Sequence, residues 1–112
     1  MENNISVEEF KKLNIVIGEI KSAEKVPDTD KLLKLSVDLG EESPRQIISG
    51  ISEFFSDESK LVGKKCTFAA NLEPKTIRGL ESQGMILAIS TPEGGFSLLV
   101  PETDIPSGSS IR

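Results

Sequence analysis

The stretch LNIVIGEIKSAEKV, residues 13–26, has the alternating apolar pattern of a β-strand with one interruption. Side chains of a strand point alternately to its two faces, so Ile15 and Ile17 share one face. Ile20 breaks this alternation after Gly18. A change of phase at a glycine is typical of a β-bulge, which allows one long strand to bend around a barrel. We therefore predict a long first strand with a bulge at Gly18.

Four further strands are predicted downstream of this one. In LLKLSVDLG, residues 32–40, apolar and polar residues alternate, which predicts an inward face made by Leu33, Leu35, Val37 and Leu39. The remaining strands are predicted in RQIISGI (45–51), KKCTFAANL (64–72) and GMILAIS (84–90). The stretch between the third and fourth strands, residues 52–63, lacks a period of two and ends at a glycine, which predicts one or two short helical turns.

The predicted order is three strands, a short helical connection and two more strands. Together with a bulged first strand, this order predicts an all-β chain folded as a five-stranded Greek-key barrel of the OB type. A β-sandwich is the alternative, but it requires about seven regularly spaced strands, which are not visible here. We predict a single domain over residues 1–112, with a helix in 1–13, the barrel in 14–90, and a C-terminal extension of hairpin and tail in 91–112.

The N-terminal segment is predicted to form a short helix. Ser6 and Glu9 have the S-x-x-E spacing of a capping box. A helix of this length is not stable alone, so its Val7 and Phe10 face has to dock on the barrel or on a second subunit. Apolar residues near the C-terminus add surface that a lone small barrel need not bury. We predict a two-fold homodimer whose interface includes Val7, Phe10, Ile105 and Ile111.

The residue types that are missing exclude several kinds of site. The chain has no His, Trp or Tyr, and its single cysteine, Cys66, is expected to be buried on the apolar face of its strand. Without His the usual zinc sites and the Ser-His or Cys-His catalytic pairs are out of reach. Asp28 and Asp30 lack the Gly-spaced loop and third acid of a calcium site, so a turn or cap role is preferred. We expect no catalytic residue, no metal and no cofactor.

The composition is that of a soluble globular domain. The hydrophobic content of 37% can fill one modest core. No apolar run approaches the roughly 18 residues needed to cross a bilayer. The N-terminus, MENNISVEEF, lacks the basic and apolar regions of a signal peptide. We therefore expect a cytoplasmic protein with no membrane partner.

Positive charge is concentrated in one segment of an acidic chain. The net charge of −5 by itself argues against a polyanionic partner. Residues 60–78 nevertheless carry five cations and one acid, Glu73. Two of these cations, Lys75 and Arg78, lie in a predicted loop. The turn residues of this loop are sufficient to form it, so the two positive charges have no evident structural purpose. This pattern predicts a confined anion-binding face, although a solvated charged strand edge would give a similar pattern.

Three blocks of the sequence together resemble a known family. The blocks are VEEFKKLNIVIGEI (7–20), AEKVPDTDKLLKLSVDLGEESPRQIISGI (23–51) and VGKKCTFAANLEPKTIRGLESQGMILA (62–88). The third is the most specific, because its N-L-x-P and S-Q-G-M-I-L-A pieces rarely occur together elsewhere. The chain resembles the tRNA-binding domain at the C-terminus of many bacterial methionyl-tRNA synthetases, which also exists as a free-standing protein of about this length. One departure is Val16, where the family often carries Arg.

The resemblance implies an OB fold that binds the body of tRNA without reading its sequence, usually as a homodimer. It also implies a non-catalytic role beside the catalytic subunit of methionyl-tRNA synthetase. Positions that the family uses for tRNA correspond here to Lys31, Ser82 and Met85. Four further candidates for phosphate or sugar contacts are added because of the chemistry of their own side chains: Asn71, Lys75, Arg78 and Gln83.

Structural roles are open for these four added residues. Asn71 could cap a turn, Gln83 could tie the loop to backbone groups, and Lys75 and Arg78 could be solvated. With five Phe and no Tyr or Trp, the sequence favours recognition of a folded RNA's shape over stacking on unpaired bases. The alternative function is a protein-binding chaperone or scaffold of the same fold, which the net charge favours and the cationic segment does not.

Overall fold

A computed structural model describes residues 3–112 of the chain. In this range one α-helix, nine β-strands and two 3-10 turns form. The helix is α1 (Val7–Lys11), and the strands are β1 (Ile15–Lys25), β2 (Leu33–Asp38), β3 (Arg45–Ser49), β4 (Lys65–Ala69), β5 (Lys75–Ile77), β6 (Leu80–Ser82), β7 (Met85–Ile86), β8 (Ala88–Ser90) and β9 (Phe96–Leu98). The 3-10 turns are Ser52–Phe54 and Glu58–Leu61, which confirms the helical connection predicted between β3 and β4. No helix of residues 3–112 has the length and apolarity of a membrane span.

Five of the strands form one antiparallel sheet that curls into a nearly closed barrel. Its order is β3-β2-β1-β4-β7, and β3 approaches β7 to complete the circle. Hydrogen bonds from β3 to the residues just before β7 help to bridge this last gap: Gln83 N–H donates to the Gln46 carbonyl at 2.8 Å, and Ile48 N–H donates to Ser82 Oγ at 3.0 Å. The predicted all-β, five-stranded OB-type barrel with a short N-terminal helix is confirmed.

The first strand carries its irregularity three residues later than predicted. Residues 15–19 pair in unbroken register with β4, and Gly18 lies opposite Cys66. The register with β2 shifts between Ile20 and Ser22, so the bulge lies at Lys21. The prediction of a bulge at Gly18 is therefore wrong. The bulge occurs near the place where β1 stops pairing with β4 and continues along β2.

Gly18 has a packing role instead. A Cβ atom at this position would lie 2.5 Å from Leu39 Cδ2 and 2.9 Å from side-chain carbons of Val37 and Phe68. Real Cβ contacts are essentially never this short. The apolar side chains of the core therefore close directly over the backbone of Gly18, and any larger residue has to displace them.

The core has the alternation that the sequence predicts. The inward residues of β2 are buried: Leu33, Leu35, Val37 and, just after the strand, Leu39. Cys66 is buried beside them with Phe68. Burial raises the pKa of the Cys66 thiol to about 11, so the thiol is protonated at neutral pH and acts as a small apolar side chain.

The segment predicted as a single fifth strand is divided. Only β7 remains in the barrel, because β8 leaves it to pair with β9 in a separate hairpin. The Phe96 ring of β9 stacks on Phe54 with a centroid distance of 4.1 Å and meets Phe55 edge-on at 5.8 Å. These aromatic contacts attach the hairpin to the first 3-10 turn.

The C-terminal tail returns to the first strand. Gly108 N–H donates to the Ile17 carbonyl at 2.7 Å, Ile17 N–H donates to Ser109 at 2.9 Å, and Ile111 N–H donates to Ile15 at 2.8 Å. Because β4 occupies one edge of this part of β1 and β2 begins to pair only at Glu19, the tail covers the other edge.

The N-terminal helix has the predicted cap. Glu9 N–H donates to Ser6 Oγ at 3.0 Å, and Ser6 N–H donates to the Glu9 carboxylate at 3.2 Å, so the capping box is complete. No residue of α1 is buried in the single chain. Its apolar face therefore remains available for another surface.

Candidate nucleic-acid interface

An arm of residues 71–82 projects from the barrel between β4 and β7. The arm contains a β-hairpin in which Ile77 pairs with Leu80 across a two-residue turn. The turn residues Arg78 and Gly79 have φ angles of 53° and 79°, and positive values at both positions characterise a type I′ turn. The sequence predicts a loop in this region. An Arg-Gly pair between two apolar residues was the available hairpin signal, although weaker than Asn-Gly.

The start of the arm is tied to the segment after α1 by Asn71. Its side-chain Oδ1 accepts from Asn14 N–H at 2.7 Å, and its Nδ2 donates to the Lys12 carbonyl at 2.6 Å. Both ends of the amide are thus used within the chain, in a role that differs from the turn cap considered above. As an RNA-contact candidate, Asn71 has few hydrogen-bonding positions left.

The end of the arm is held against β3 by Ser82 and Gln83. The buried Ser82 hydroxyl accepts from Ile48 N–H and donates to the Gly84 carbonyl at 3.0 Å. The Gln83 side chain accepts from Gln46 N–H at 3.1 Å and donates to Glu81 at 3.2 Å. Both side chains therefore close the barrel and fix the end of the arm.

Sequence reasoning missed one residue at the base of the arm, Arg45. Its Nη1 donates to the carbonyl oxygens of Ala70 and Gln83, and its Nε and Nη2 donate to the Glu41 carboxylate at 2.8 and 2.7 Å. This hydrogen-bonded pairing lowers the pKa of Glu41 and raises the pKa of Arg45. No pattern near Arg45 in the sequence identifies its partners, because Ala70 and Gln83 are distant in the chain.

The remaining predicted cations line two depressions that share one lining residue. Lys75 lines a depression floored by residues of β3 and β7, while Lys31 and Arg78 line the neighbouring depression. Ile77 lines both depressions. We call this feature the cationic groove, defined by Lys31, Lys75, Arg78 and Ile77. Its three cations are exposed, and within residues 3–112 none of them forms an ion pair.

Met85 completes the apolar part of this groove. It lies in the same depression as Lys75, and its side chain is 48% exposed. A thioether at this place offers a polarisable apolar surface beside the cations. Acids also border the groove: Asp30 lies beside Lys31, and Glu73 lies on the Lys75 side. The positive charge is therefore local, in agreement with the net charge of −5 of the chain.

The cationic segment of residues 60–78 does not form one face. Lys65 pairs with Asp104 at 2.9 Å and donates to the Ile105 carbonyl at 2.8 Å. Lys64 lines a different depression with Phe54 and Phe96. Only Lys75 and Arg78 of this segment reach the groove, where they are joined by Lys31 from the segment between β1 and β2. In residues 3–112 no cluster of three potential metal-binding side chains is found.

The residues predicted for a dimer interface are mostly uncovered in the single chain. The exposed fractions are 60% for Val7, 41% for Phe10 and 43% for Ile111, and Ile105 is half-buried. Such exposure of large apolar side chains is compatible with an interface.

A family model described as "Putative tRNA binding domain" matches residues 15–110. The chain is 52% identical over 108 residues to a methionine–tRNA ligase of Methanospirillum hungatei JF-1, a match that covers 96% of this chain and 16% of that protein. It is 41% identical over 110 residues to the corresponding ligase of Enterococcus faecalis, covering 98% of this chain and 16% of that protein. The chain thus spans about a sixth of the length of these relatives.

Solved structures of similar length have the same fold. A MetRS related protein from Pyrococcus horikoshii superposes with a TM-score of 0.90 at 37% identity, covering 98% of this chain and 99% of that chain. The chaperone CsaA from Bacillus anthracis superposes with a TM-score of 0.85 at 27% identity, covering 97% and 99% of the two chains.

Proposed function

This chain belongs to the tRNA-binding domain family, and we propose that it is a non-catalytic module that binds the body of tRNA through shape and backbone contacts. The observation that carries the proposal is the cationic groove, where three exposed cations that form no ion pair within residues 3–112 meet an exposed Met85. Cations contact phosphates, which position a nucleic acid without specifying its sequence. The module then raises the local tRNA concentration for a methionyl-tRNA synthetase catalytic subunit, its proposed partner.

Direct tRNA contacts are assigned to the groove, and supporting roles to its surroundings. Lys31, Lys75 and Arg78 pair with phosphates, and Met85 packs on a sugar or base. The proposed supporting residues, whose polar groups are used within the chain, are Asn71, Ser82 and Gln83.

Salt dependence tests this function. Few phosphates are contacted, so few counterions are released, and the slope of log affinity against log salt is expected to be about −2 to −5. Titrations of bulk tRNA by fluorescence anisotropy between about 50 and 200 mM salt measure the slope. Affinity for tRNA that stays constant over this range of salt would refute the proposal.

A protein-binding chaperone is the second candidate. It is favoured by the likeness to CsaA and by an exposed cleft where Phe54 and Phe96 stack beside Lys64. Binding of an apolar peptide in this cleft would depend little on ionic strength. The same salt titration, made with tRNA and with unfolded protein as separate ligands, therefore distinguishes the two functions.

A two-fold dimer is proposed to present two cationic grooves to one tRNA. Phe10 is its central anchor, since this large side chain is 41% exposed on a helix with no buried residue. The Asn71 side chain is hydrogen-bonded to the segment after this helix, so the proposed interface and the arm are in direct contact through this residue.

Replacing Phe10 with Asp is expected to yield monomers, because a charge cannot be buried in an apolar interface without a partner. Light scattering measures the mass, and circular dichroism checks that the barrel is folded. Val62→Asp is the matched control, since Val62 is 50% exposed outside the proposed interface and its replacement should leave the dimer intact. A dimer that survives Phe10→Asp places the interface elsewhere.

A further inference from the structure

One guanidinium group joins the two roots of the arm that carries Lys75 and Arg78. Ala70 immediately precedes the arm and Gln83 immediately follows it, and Arg45 Nη1 donates to the backbone carbonyls of both. Arg45 itself is the first residue of β3, within the barrel sheet. The contact therefore fixes the arm to the rigid sheet at both of its ends.

The geometry of this contact requires arginine. A guanidinium has five N–H donors in a fixed plane, and four of them are used here: two by the carbonyls and two by Glu41. The forked pair with the Glu41 carboxylate fixes the plane of the group, so Nη1 is directed between the two roots. A lysine ammonium is a point charge on a flexible stem and has no such plane.

Arg45 is also poorly placed to contact tRNA itself. Its side chain is 27% exposed, and its charge is already paired with Glu41 at 2.7 Å. The three groove cations are exposed and form no ion pair within residues 3–112. The role of Arg45 is thus separable from theirs.

We infer that Arg45 is a positioning residue for tRNA binding, which sets the direction of the arm by clasping both of its roots. This inference rests on the proposed function, because it concerns the same groove. A clasp at the roots restricts the hairpin before tRNA arrives, so less ordering is required on binding. Without the Arg45 contacts, the tip of the arm, which carries Arg78, moves relative to Lys31. Lys31 lies on a different segment of the barrel.

The test is a double-mutant cycle with Arg45→Met and Arg78→Asn, each measured for tRNA affinity at low salt. Methionine keeps much of the volume of arginine and removes all of its donors. If Arg45 acts through the arm, Arg45→Met lowers affinity about tenfold in the wild-type chain and about threefold or less once Arg78 is absent. Arg45→Lys, which keeps the charge and can reach one root at a time, is expected to be intermediate.

Two controls separate positioning from charge and from unfolding. Lys21→Met removes one cation from β1, where it pairs only with Glu19 among residues 3–112, and should change affinity little. Hydrogen exchange of the arm amides should accelerate in Arg45→Met, while the amides of β1 and β2 stay protected.

Additive losses in the cycle would mean that Arg45 touches tRNA directly or acts by general destabilisation, and unchanged affinity or unchanged exchange in Arg45→Met would also overturn the inference. If Arg78→Asn alone leaves affinity unchanged, the groove itself is not the binding site. That outcome refutes the proposed function and the inference together, and the single variant identifies it.

Discussion

The double variant Lys31→Ala, Arg78→Asn is expected to bind bulk tRNA about a hundredfold more weakly than the wild-type chain. Each replacement removes one cation from the cationic groove, and a charge-assisted bond to phosphate is worth roughly 1.5–3 kcal/mol, or about tenfold or more in affinity. The two residues come from different segments, and their losses should add unless they share a phosphate. Fluorescence anisotropy at low salt measures the change.

Asparagine is the appropriate replacement at Arg78, because the residue has a φ angle of 53° in the turn. Asn tolerates this left-handed conformation better than Ala, so the charge is removed without added backbone strain. The free energy of unfolding should change by less than about 0.5 kcal/mol for each exposed site. Glu73→Ala is the opposite control, since loss of this acid beside the groove should tighten binding slightly. Intact binding with a lowered melting temperature would instead make Arg78 a structural residue.

Replacing Gly18 with Ala is expected to lower the free energy of unfolding by about 1–3 kcal/mol, the usual cost of an overpacked core. The new methyl group would meet Leu39, Val37 and Phe68 at 2.9 Å or less. These side chains are fixed by their own neighbours, so relief requires movement of β2 against β4. Gly18→Val should be worse and is expected to leave most of the chain unfolded. Urea denaturation measures both variants.

Gly50→Ala is the matched control for Gly18→Ala. Nothing lies within 4 Å of a Cβ at Gly50. The alanine there should be tolerated, or stabilise the chain by up to about 1 kcal/mol through a less flexible unfolded state. Equal effects of the two replacements would show that lost backbone freedom, not core packing, explains Gly18.

The sequence predicts the barrel because the relevant signals are local. The alternation of Leu33, Leu35 and Val37 depends only on the period of a strand, and the capping box depends on two residues three apart. The position of the bulge, in contrast, does not follow from local signals. A break in alternation appears near Gly18 in the sequence, but where the register shifts depends on which neighbour each part of β1 meets, and that is a property of the assembled sheet.

The site is predicted less completely, and for a physical reason. Exposure of Lys75 and Arg78 follows from their place in a polar segment. The approach of Lys31 to Arg78 across the groove is a tertiary fact, which this sequence indicates only through the family resemblance. Asn71, Ser82 and Gln83 have polar groups that suit RNA or backbone partners equally, and only the fold shows that backbone groups use them. Arg45 is missed because its partners are backbone carbonyls, which every residue type carries.

The pairing of the C-terminal tail with β1 has a consequence for the synthesis of the protein on the ribosome. Ile15 is made well before its partner Ile111, because the two residues are far apart in the sequence. Until residues 108–111 have been made, one edge of β1 therefore presents unpaired backbone groups, the usual template for association between nascent chains. Contacts of such long sequence separation also slow folding. A cell that makes this chain on crowded polysomes consequently depends on residues 108–111 to cover this edge of β1.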